Sequence, residues 1–190
     1  MNNKFIGKGR VLTEPKLYFV QNDTNYYIFE MGILRNSNYE DKIKVVSKEC
    51  NFININNYIQ VKGRFSSYNK KREDGTSKLF LFVKAEQITF LSFEENLNKL
   101  EIEGYIVKKP SYRITPLGRE ICDVLIACNI EDTKKSEYIP VICWDTAAKP
   151  VSELSIGSKL NIFGRIQSRV YTKNNQDMIA YELSAIKVHF

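Results

Sequence analysis

The sequence predicts an all-β protein built from two successive small barrels. Three observations lead to this fold class. The chain repeats itself at an offset of about 95 residues, each half contains about five strand-like runs, and one of the most regular runs carries a glycine in its middle. An isolated glycine inside a strand often marks a bulge or a sharp bend, as at the corner of a barrel.

The internal repeat divides the chain into two halves. The matching segments are residues 9–18 with 104–113 (offset 95), Ala85 with Ala185 (offset 100) and Gly63 with Gly164 (offset 101). The offset drifts only where loops are expected, and each half has a common size for a small domain. We therefore place the first domain at residues 1–93 and the second at residues 98–190, with a short polar joint between them.

The strand-like runs of the second half are rich in Ile, Val, Tyr and Phe and are bounded by turn residues. They are residues 100–107, 120–130, 138–143, 159–170 and 178–188. Between the third and fourth runs, residues 144–157 predict a short or broken helix, because Pro150 lies inside it and Gly157 ends it. At the same place in the first half, the asparagine-rich residues 47–57 predict a loop or a single turn.

Composition and charge narrow the class of protein. The 190 residues carry a net charge of +6, a moderate bias that is compatible with binding phosphates. No run reaches the roughly 20 apolar residues of a transmembrane helix. Residues 1–7 contain no apolar core of a signal peptide, so we expect a cytoplasmic protein that does not contact membranes.

The residues that commonly carry metal or catalytic chemistry are few and scattered. The four cysteines are Cys50, Cys122, Cys128 and Cys143; they form no C-x-x-C pair, and His189 is the only histidine. This spacing does not support a zinc site, and we expect cysteines in apolar runs to pack as small hydrophobic residues. With no Walker-type loop and no plausible Ser–His–Asp or Cys–His set, we expect no enzyme and no cofactor.

The second half resembles the bacterial and phage single-stranded DNA-binding (SSB) proteins along nearly its whole length. The similar segments are 100–110 (first strand, glycine, basic loop and proline), 112–118 (a turn), 124–129, 138–144 and 156–169. Their order and spacing carry the resemblance more than any one motif. The resemblance implies two tandem five-stranded OB-fold barrels, each a Greek-key barrel. Periodicity alone does not distinguish this fold from other small barrels.

Two departures from the family pattern bear on function. The first half is a weaker match, because Lys48 stands where the second half has Trp144 at the end of the third strand. The acidic tail with which cellular SSB proteins usually end is not seen after Phe190. The chain is therefore more similar to tail-less relatives of the PriB or mobile-element type.

Binding a single strand requires basic groups for the phosphates and flat side chains for the bases. The resemblance places stacking residues at Trp144, Tyr138 and Tyr171, although Trp144 could instead fill the core and each basic loop could be ordinary solvated surface. The full set of candidate residues is Trp144, Tyr138, Tyr171, Arg165, Arg169, Tyr112, Arg113, Lys108, Lys109, Lys134, Lys135, Tyr68, Lys70, Lys71, Arg72 and Arg64.

The predicted function is binding of single-stranded DNA without strong sequence preference, in replication, recombination, repair or mobile-element maintenance. Two alternatives remain open at this point: a primosome- or replisome-type adaptor whose OB surfaces contact other proteins, and RNA binding. The resemblance also implies replication or primosome proteins as partners, and a homodimer that would bring four OB-folds together.

Overall fold

The computed structural model describes residues 3–48, 50, 52–71, 75–130, 133, 135–173 and 176–190. Two compact units are present. The first unit consists of Lys4–Ser66 and Leu81–Lys99, and the second unit consists of Ser67–Phe80, Leu100–Phe190 and the chain's first residues. Each unit thus combines segments from different parts of the sequence, and the division at residues 93 and 98 stays a prediction.

Strands β1 to β6 come from the first repeat. They are β1 (Asn3–Val11), β2 (Lys16–Gln21), β3 (Thr24–Leu34), β4 (Glu40–Ser47), β5 (Tyr58–Lys71) and β6 (Ser77–Phe90). In the first unit β1 pairs antiparallel with β5 and β3, and β3 pairs antiparallel with β4. Strand β4 pairs parallel with β6, which neighbours β5. The ring β1-β3-β4-β6-β5 therefore closes on itself.

Strands β7 to β12 repeat this arrangement. They are β7 (Leu97–Ile106), β8 (Ser111–Ile114), β9 (Glu120–Asn129), β10 (Ser136–Trp144), β11 (Lys159–Lys173) and β12 (Gln176–His189). The second unit closes as β7-β9-β10-β12-β11, again with one parallel pair, between β10 and β12. A five-stranded Greek-key ring of this kind is the OB-fold.

Each barrel carries a sixth, short strand that the sequence pattern does not predict. Strand β2 pairs with β3, and β8 pairs with β9. All four residues of β8 are exposed, and β2 is exposed except at one residue. The alternation of apolar and polar residues that indicates a half-buried strand is therefore missing from both. Tyr112 and Arg113, which we expected in a loop, lie on β8.

Alternate residues of the barrel strands are buried and form the cores of the barrels. Along β7, Leu100, Ile102, Gly104 and Ile106 are buried, while the three residues that alternate with them are more exposed. The same alternation runs through β10, where Ile139, Val141 and Cys143 face the core. All four cysteines are buried, and burial raises the pKa of the Cys143 thiol to about 12. Cys122, Cys128 and Cys143 pack as small hydrophobic residues, as expected from their apolar runs.

The repeated glycines of the fourth strands lie against a neighbouring backbone. A Cβ atom on Gly63 would lie 2.1 Å from the carbonyl oxygen of Lys84, and one on Gly164 would lie 2.3 Å from that of Ser184. The ladder between β11 and β12 shifts register between Phe163 and Gly164. The glycine in the middle of the strand thus marks a bulge with close backbone approach, as its sequence position indicates.

The helix between the third and fourth barrel strands is short. A 3-10 turn at Asp145–Ala147 leads into α1 (Ala148–Ser152), in which Ala148 and Val151 are buried and Pro150 is the third residue. The described residues of the first unit contain no helix, in line with the loop predicted there. In the described part of the chain, no helix is long and apolar enough to cross a membrane.

Candidate nucleic-acid interface

The second unit presents a continuous face of aromatic and charged side chains on the side of its sheet opposite the core. Residues directly opposite on paired strands share a face, so the register of the strand pairs defines its members. This outer face comprises Asp123 on β9, Tyr138 and Trp144 on β10, Arg165, Arg169 and Tyr171 on β11, and Glu182 and Ser184 on β12. Five of the predicted residues are thus brought onto one surface.

Trp144 lies half-buried at the end of β10 and is held from two sides. Its Nε1 donates a hydrogen bond to Ser184 Oγ at 3.1 Å, which fixes the plane of the indole. The guanidinium carbon of Arg119 lies 4.5 Å from the ring centroid. This cation–π contact covers one face of the indole. Sequence reasoning did not identify Arg119, because it lies in the loop before β9, 25 positions away from Trp144.

Arg119 is itself held by a carboxylate. Its Nη2 lies 2.6 Å from Asp145 Oδ2, and both side chains are about half exposed. The hydrogen bond from Arg119 lowers the pKa of Asp145. Exposed pairs of this kind contribute little to stability, so Arg119 can separate from Asp145 at small cost.

Tyr138 lies at the other end of the outer face of β10, and 41% of it is exposed. Its backbone N–H donates to Ser67 Oγ at 2.9 Å, which places the hairpin of β5 and β6 beside β10 within the second unit. In that hairpin the rings of Tyr68 and Phe80 lie 5.2 Å apart. Aromatic side chains of both repeats therefore border this end of the face.

Basic side chains continue along β5 and β11. Lys70 and Lys71 are exposed at the end of β5, where Arg72 lies outside the described residues. On β11, the guanidinium carbon of Arg169 lies 5.9 Å from the ring centroid of Tyr171. Tyr68 lies on β5 and Tyr171 lies on β11, which extends past the predicted run of residues 159–170. Strands β5–β6 and β11–β12 each form a long two-stranded ribbon.

A buried carboxylate lies in the middle of the face. Glu182 is 6% exposed, and its Oε1 lies 3.5 Å from Arg169 Nε and 3.4 Å from the side-chain amide of Gln167. Burial raises the pKa of Glu182, while the charge of Arg169 opposes that rise. The carboxylate of Glu182 therefore holds Arg169 on this face.

A similar ion pair lies on the β8 side. Arg113 Nε donates to Asp123 Oδ2 at 2.7 Å, and both side chains are exposed. The remaining predicted residues of this unit lie away from the strands of the face. Tyr112 is exposed on β8, Lys108 and Lys109 are exposed in the turn after β7, Lys135 is exposed just before β10, and Lys134 lies outside the described residues.

The first unit has its own aromatic and basic cluster, which sequence reasoning missed. The rings of Phe19 and Tyr26 stack at a centroid distance of 4.5 Å and an angle of 16°. The ammonium of Lys48 lies 5.7 Å from the Tyr26 ring centroid. Tyr26 precedes Tyr27, which pairs with Ser47, and Lys48 follows Ser47. A cation therefore contacts an aromatic ring here, as Arg119 contacts Trp144 in the second unit. The positions are reversed: Tyr26 lies on β3 and Lys48 follows β4, whereas Arg119 precedes β9 and Trp144 ends β10.

Lysines line the outer face of the first barrel. Lys42 and Lys44 on β4 and Lys84 on β6 share the face that is opposite the core, because they lie across from Gly32, Glu30 and Val46. Arg64, the predicted residue in this unit, lies half-buried on β5. The alternation of lysine with buried Ile43 and Val45 is the sequence signal that could have identified this basic stripe.

Comparison with known proteins identifies relatives of the second repeat. The model of the single-strand binding protein family matches residues 97–190. Single-stranded DNA-binding protein A of Bacillus subtilis is 30% identical over 101 residues, covering 50% of this chain and 59% of that protein. Single-stranded DNA-binding protein 2 of Staphylococcus aureus is also 30% identical over 101 residues, covering 50% of this chain and 72% of that protein. The chain thus spans less than two thirds of the Bacillus protein.

A solved structure matches both repeats together. The wild-type single-stranded DNA binding protein from Thermus aquaticus superposes with a TM-score of 0.78, covering 100% of this chain and 92% of that chain at 19% sequence identity. The likeness confirms the predicted fold class of two tandem OB-fold barrels.

Proposed function

The chain belongs to the single-strand binding protein family, and from this premise we propose that it binds single-stranded DNA without strong sequence preference. The observation that carries the proposal is the outer face of the second unit, where Trp144 and Tyr138 share one strand with arginines on the strands around them. The family is defined by binding and not by catalysis, in agreement with the absence of a catalytic set from the sequence.

Stacking on the outer face supplies the part of the affinity that does not depend on sequence. Every base has a π face, and stacking on an aromatic side chain contributes about 1–3 kcal/mol per base. Tyr138 and Trp144 are six residues apart on one strand, a distance of about 20 Å at the usual strand rise. Bases that are several nucleotides apart can therefore reach the two rings.

The basic residues neutralise the phosphates between the stacked bases. Arg169, Arg113 and Arg165 lie on or beside the outer face, and Lys70 and Lys71 extend it along the hairpin. We also assign phosphate contacts to the other predicted basic residues, among them Lys108, Lys109 and Lys135, which lie in loops of the kind that OB-folds commonly use to grip a strand. Because each contact releases counterions, affinity falls as salt rises.

Three carboxylates on or beside the outer face oppose the binding of DNA, because they hold the arginines that would contact it. Asp123, Asp145 and Glu182 each pair with an arginine in the absence of DNA. A phosphate must replace these carboxylates, and the exposed pairs with Asp123 and Asp145 give way at small cost. The face therefore releases its arginines to a bound strand while offering little net positive charge to other polyanions.

The biological setting follows from the ligand. Single strands are exposed during replication, recombination, repair and the maintenance of mobile elements, and we place the protein's action there, in the cytoplasm. Proteins of the replication or primosome machinery are the partners proposed for it.

Quenching of Trp144 fluorescence by oligo(dT) tests the proposed function directly, since Trp144 is the only tryptophan. The titration is repeated at low and high salt, with a duplex of the same length as the control ligand. We expect strong quenching by oligo(dT), weak quenching by the duplex and a steep loss of affinity with salt. The absence of both quenching and a mobility shift of the oligonucleotide would refute the proposal.

A further inference from the structure

A small pocket opens in the first unit beside the end of β4. It has a volume of about 220 Å³ and is lined by Ser47, Lys48, Phe52, Ala85, Glu86, Gln87 and Ile88. Strand β4 pairs with β6 at Val45/Val83 and Val46/Lys84, and β6 then continues to Phe90. The pocket therefore lies in the corner where β4 and β6 diverge.

The exchange of tryptophan for lysine explains why this corner is open. In the second repeat, Trp144 stands at the position of Lys48, and its indole extends to Ser184, the residue that corresponds to Lys84. The indole thus reaches the residue just before the segment that corresponds to Ala85–Ile88. In the first repeat the Lys48 side chain is turned toward the Tyr26 ring. A bulky ring is missing from the corner, and the space it would fill is a pocket.

We propose that this pocket binds one nucleobase of the single strand, in the place where the second repeat has its own indole ring. The inference rests on the proposed function and deepens it by assigning a base-binding site to the first repeat. The volume supports a single ring system, because pockets that enclose whole drug-sized ligands are larger, at about 300–1,000 Å³.

The lining residues match the parts of a nucleotide. Phe52 is 49% exposed, and its ring makes a tilted contact with the Phe90 ring at 5.9 Å, so it presents an aromatic surface for stacking. Lys48 also lines the pocket, and its ammonium carries the charge that a phosphate requires. Gln87 and Ser47 bring polar groups to the pocket that can bond to base edges. The base therefore enters with its ring against Phe52 and its phosphate toward Lys48.

Crosslinking and paired substitutions test the pocket. Oligo(dT) in which some thymines are replaced by 5-iododeoxyuridine is irradiated with the whole chain, and the crosslinked peptides are identified by mass spectrometry. In parallel, oligo(dT) affinity is measured for Phe52→Ala and for Phe93→Ala. Phe93 is a matched control, because it is an exposed phenylalanine of the same unit that does not line the pocket.

We expect a crosslink at Phe52. Phe52→Ala should weaken oligo(dT) binding by about fivefold to a hundredfold, the loss of one stacked base, whereas Phe93→Ala should leave it unchanged. Lys48→Gln should make the dependence of log K on log salt shallower by about 0.7, the loss of one phosphate contact on a single strand.

The outcomes separate this inference from the proposed function. If the unmodified chain binds oligo(dT) but Phe52→Ala and Phe93→Ala behave alike and no crosslink forms at Phe52, the pocket assignment is wrong and the proposed function stands. If the unmodified chain does not bind oligo(dT), the proposed function fails and the pocket assignment fails with it. Urea unfolding of both variants checks that each remains folded.

Discussion

Two arginines on or beside the outer face are held by carboxylates that differ in burial. Arg119 stacks on Trp144 and is anchored by Asp145, while Arg169 is anchored by the buried Glu182. The two carboxylates differ in the direction of their pKa shifts, because Asp145 is exposed and hydrogen-bonded whereas Glu182 is buried. They therefore lead to different predictions.

Asp145→Asn should strengthen binding to single-stranded DNA. The substitution loosens Arg119 and removes a negative charge beside Trp144, and asparagine tolerates the positive φ of 48° found at this position. We expect a higher affinity at low salt and a salt dependence steeper by about 0.7 in log–log slope, the value of one added phosphate contact. Fluorescence titration with oligo(dT) at several salt concentrations measures both quantities.

Glu153→Gln provides the control for Asp145→Asn. It makes the same change of net charge at the C-terminal end of α1, where Glu153 is exposed and does not lie on the outer face. Equal gains in affinity from both variants would mean that net charge, and not the release of Arg119, is responsible.

Glu182→Gln should remove a pH dependence of stability. Because burial raises the pKa of Glu182, the folded state binds its proton more tightly than the unfolded state does. This group's contribution to the free energy of unfolding therefore falls as pH rises above the ordinary glutamate range. The groups that surround it are Arg169, Arg113, Asp123 and Gln167.

Urea unfolding of Glu182→Gln and the unmodified chain at pH 5 and pH 8 measures this contribution. We expect the variant to gain stability relative to the unmodified chain as pH rises from 5 to 8. A constant difference between the two proteins over this range would show that burial does not control the ionisation of Glu182.

At the scale of single strands, Gly63 and Gly164 impose the same packing constraint on the two repeats. Both lie on the fourth barrel strand, and each approaches a backbone carbonyl oxygen of the fifth. Backbone cannot move aside as the end of a flexible side chain can, so the strands must separate to admit a Cβ atom.

Gly63→Ala and Gly164→Ala should each destabilise the fold by about 3 kcal/mol or more, at the upper end of single substitutions. Gly32→Ala is the matched control, because the three atoms nearest to a Cβ atom there all belong to the Glu40 side chain, which can rotate away. Denaturant unfolding compares the three variants. A loss in the control as large as in the other two would mean that strand glycines matter for reasons other than backbone approach.

The short strands β2 and β8 could not be predicted from the pattern of apolar and polar residues. The buried faces of β7, β10 and β11 follow from alternation, whereas β2 and β8 bury almost nothing and are recognised only through their pairing with β3 and β9. The long ribbons of β5–β6 and β11–β12 likewise extend past the point where apolar alternation stops.

At the scale of the whole molecule, each chain contributes two OB-fold barrels. The family resemblance implies a working assembly of four barrels, and we propose that two chains associate to provide it. Light scattering should then give a mass near twice the 22.1 kDa of the chain. A mass near 22.1 kDa across the accessible concentration range would contradict the dimer and leave a two-barrel monomer as the binding unit.

The repeat, the all-β class, the short helix and the strand that carries Tyr138 could all be predicted from the sequence, whereas the predicted helix includes Trp144, which lies at the end of β10. These features depend on local periodicity and on self-similarity, both of which can be read along the chain. Tertiary structure alone decided that Arg119 covers Trp144, that Glu182 is buried beside Arg169, and that a pocket opens next to Lys48. Such contacts join residues on different strands, and strand register and side-chain packing, which no local pattern encodes, bring them together.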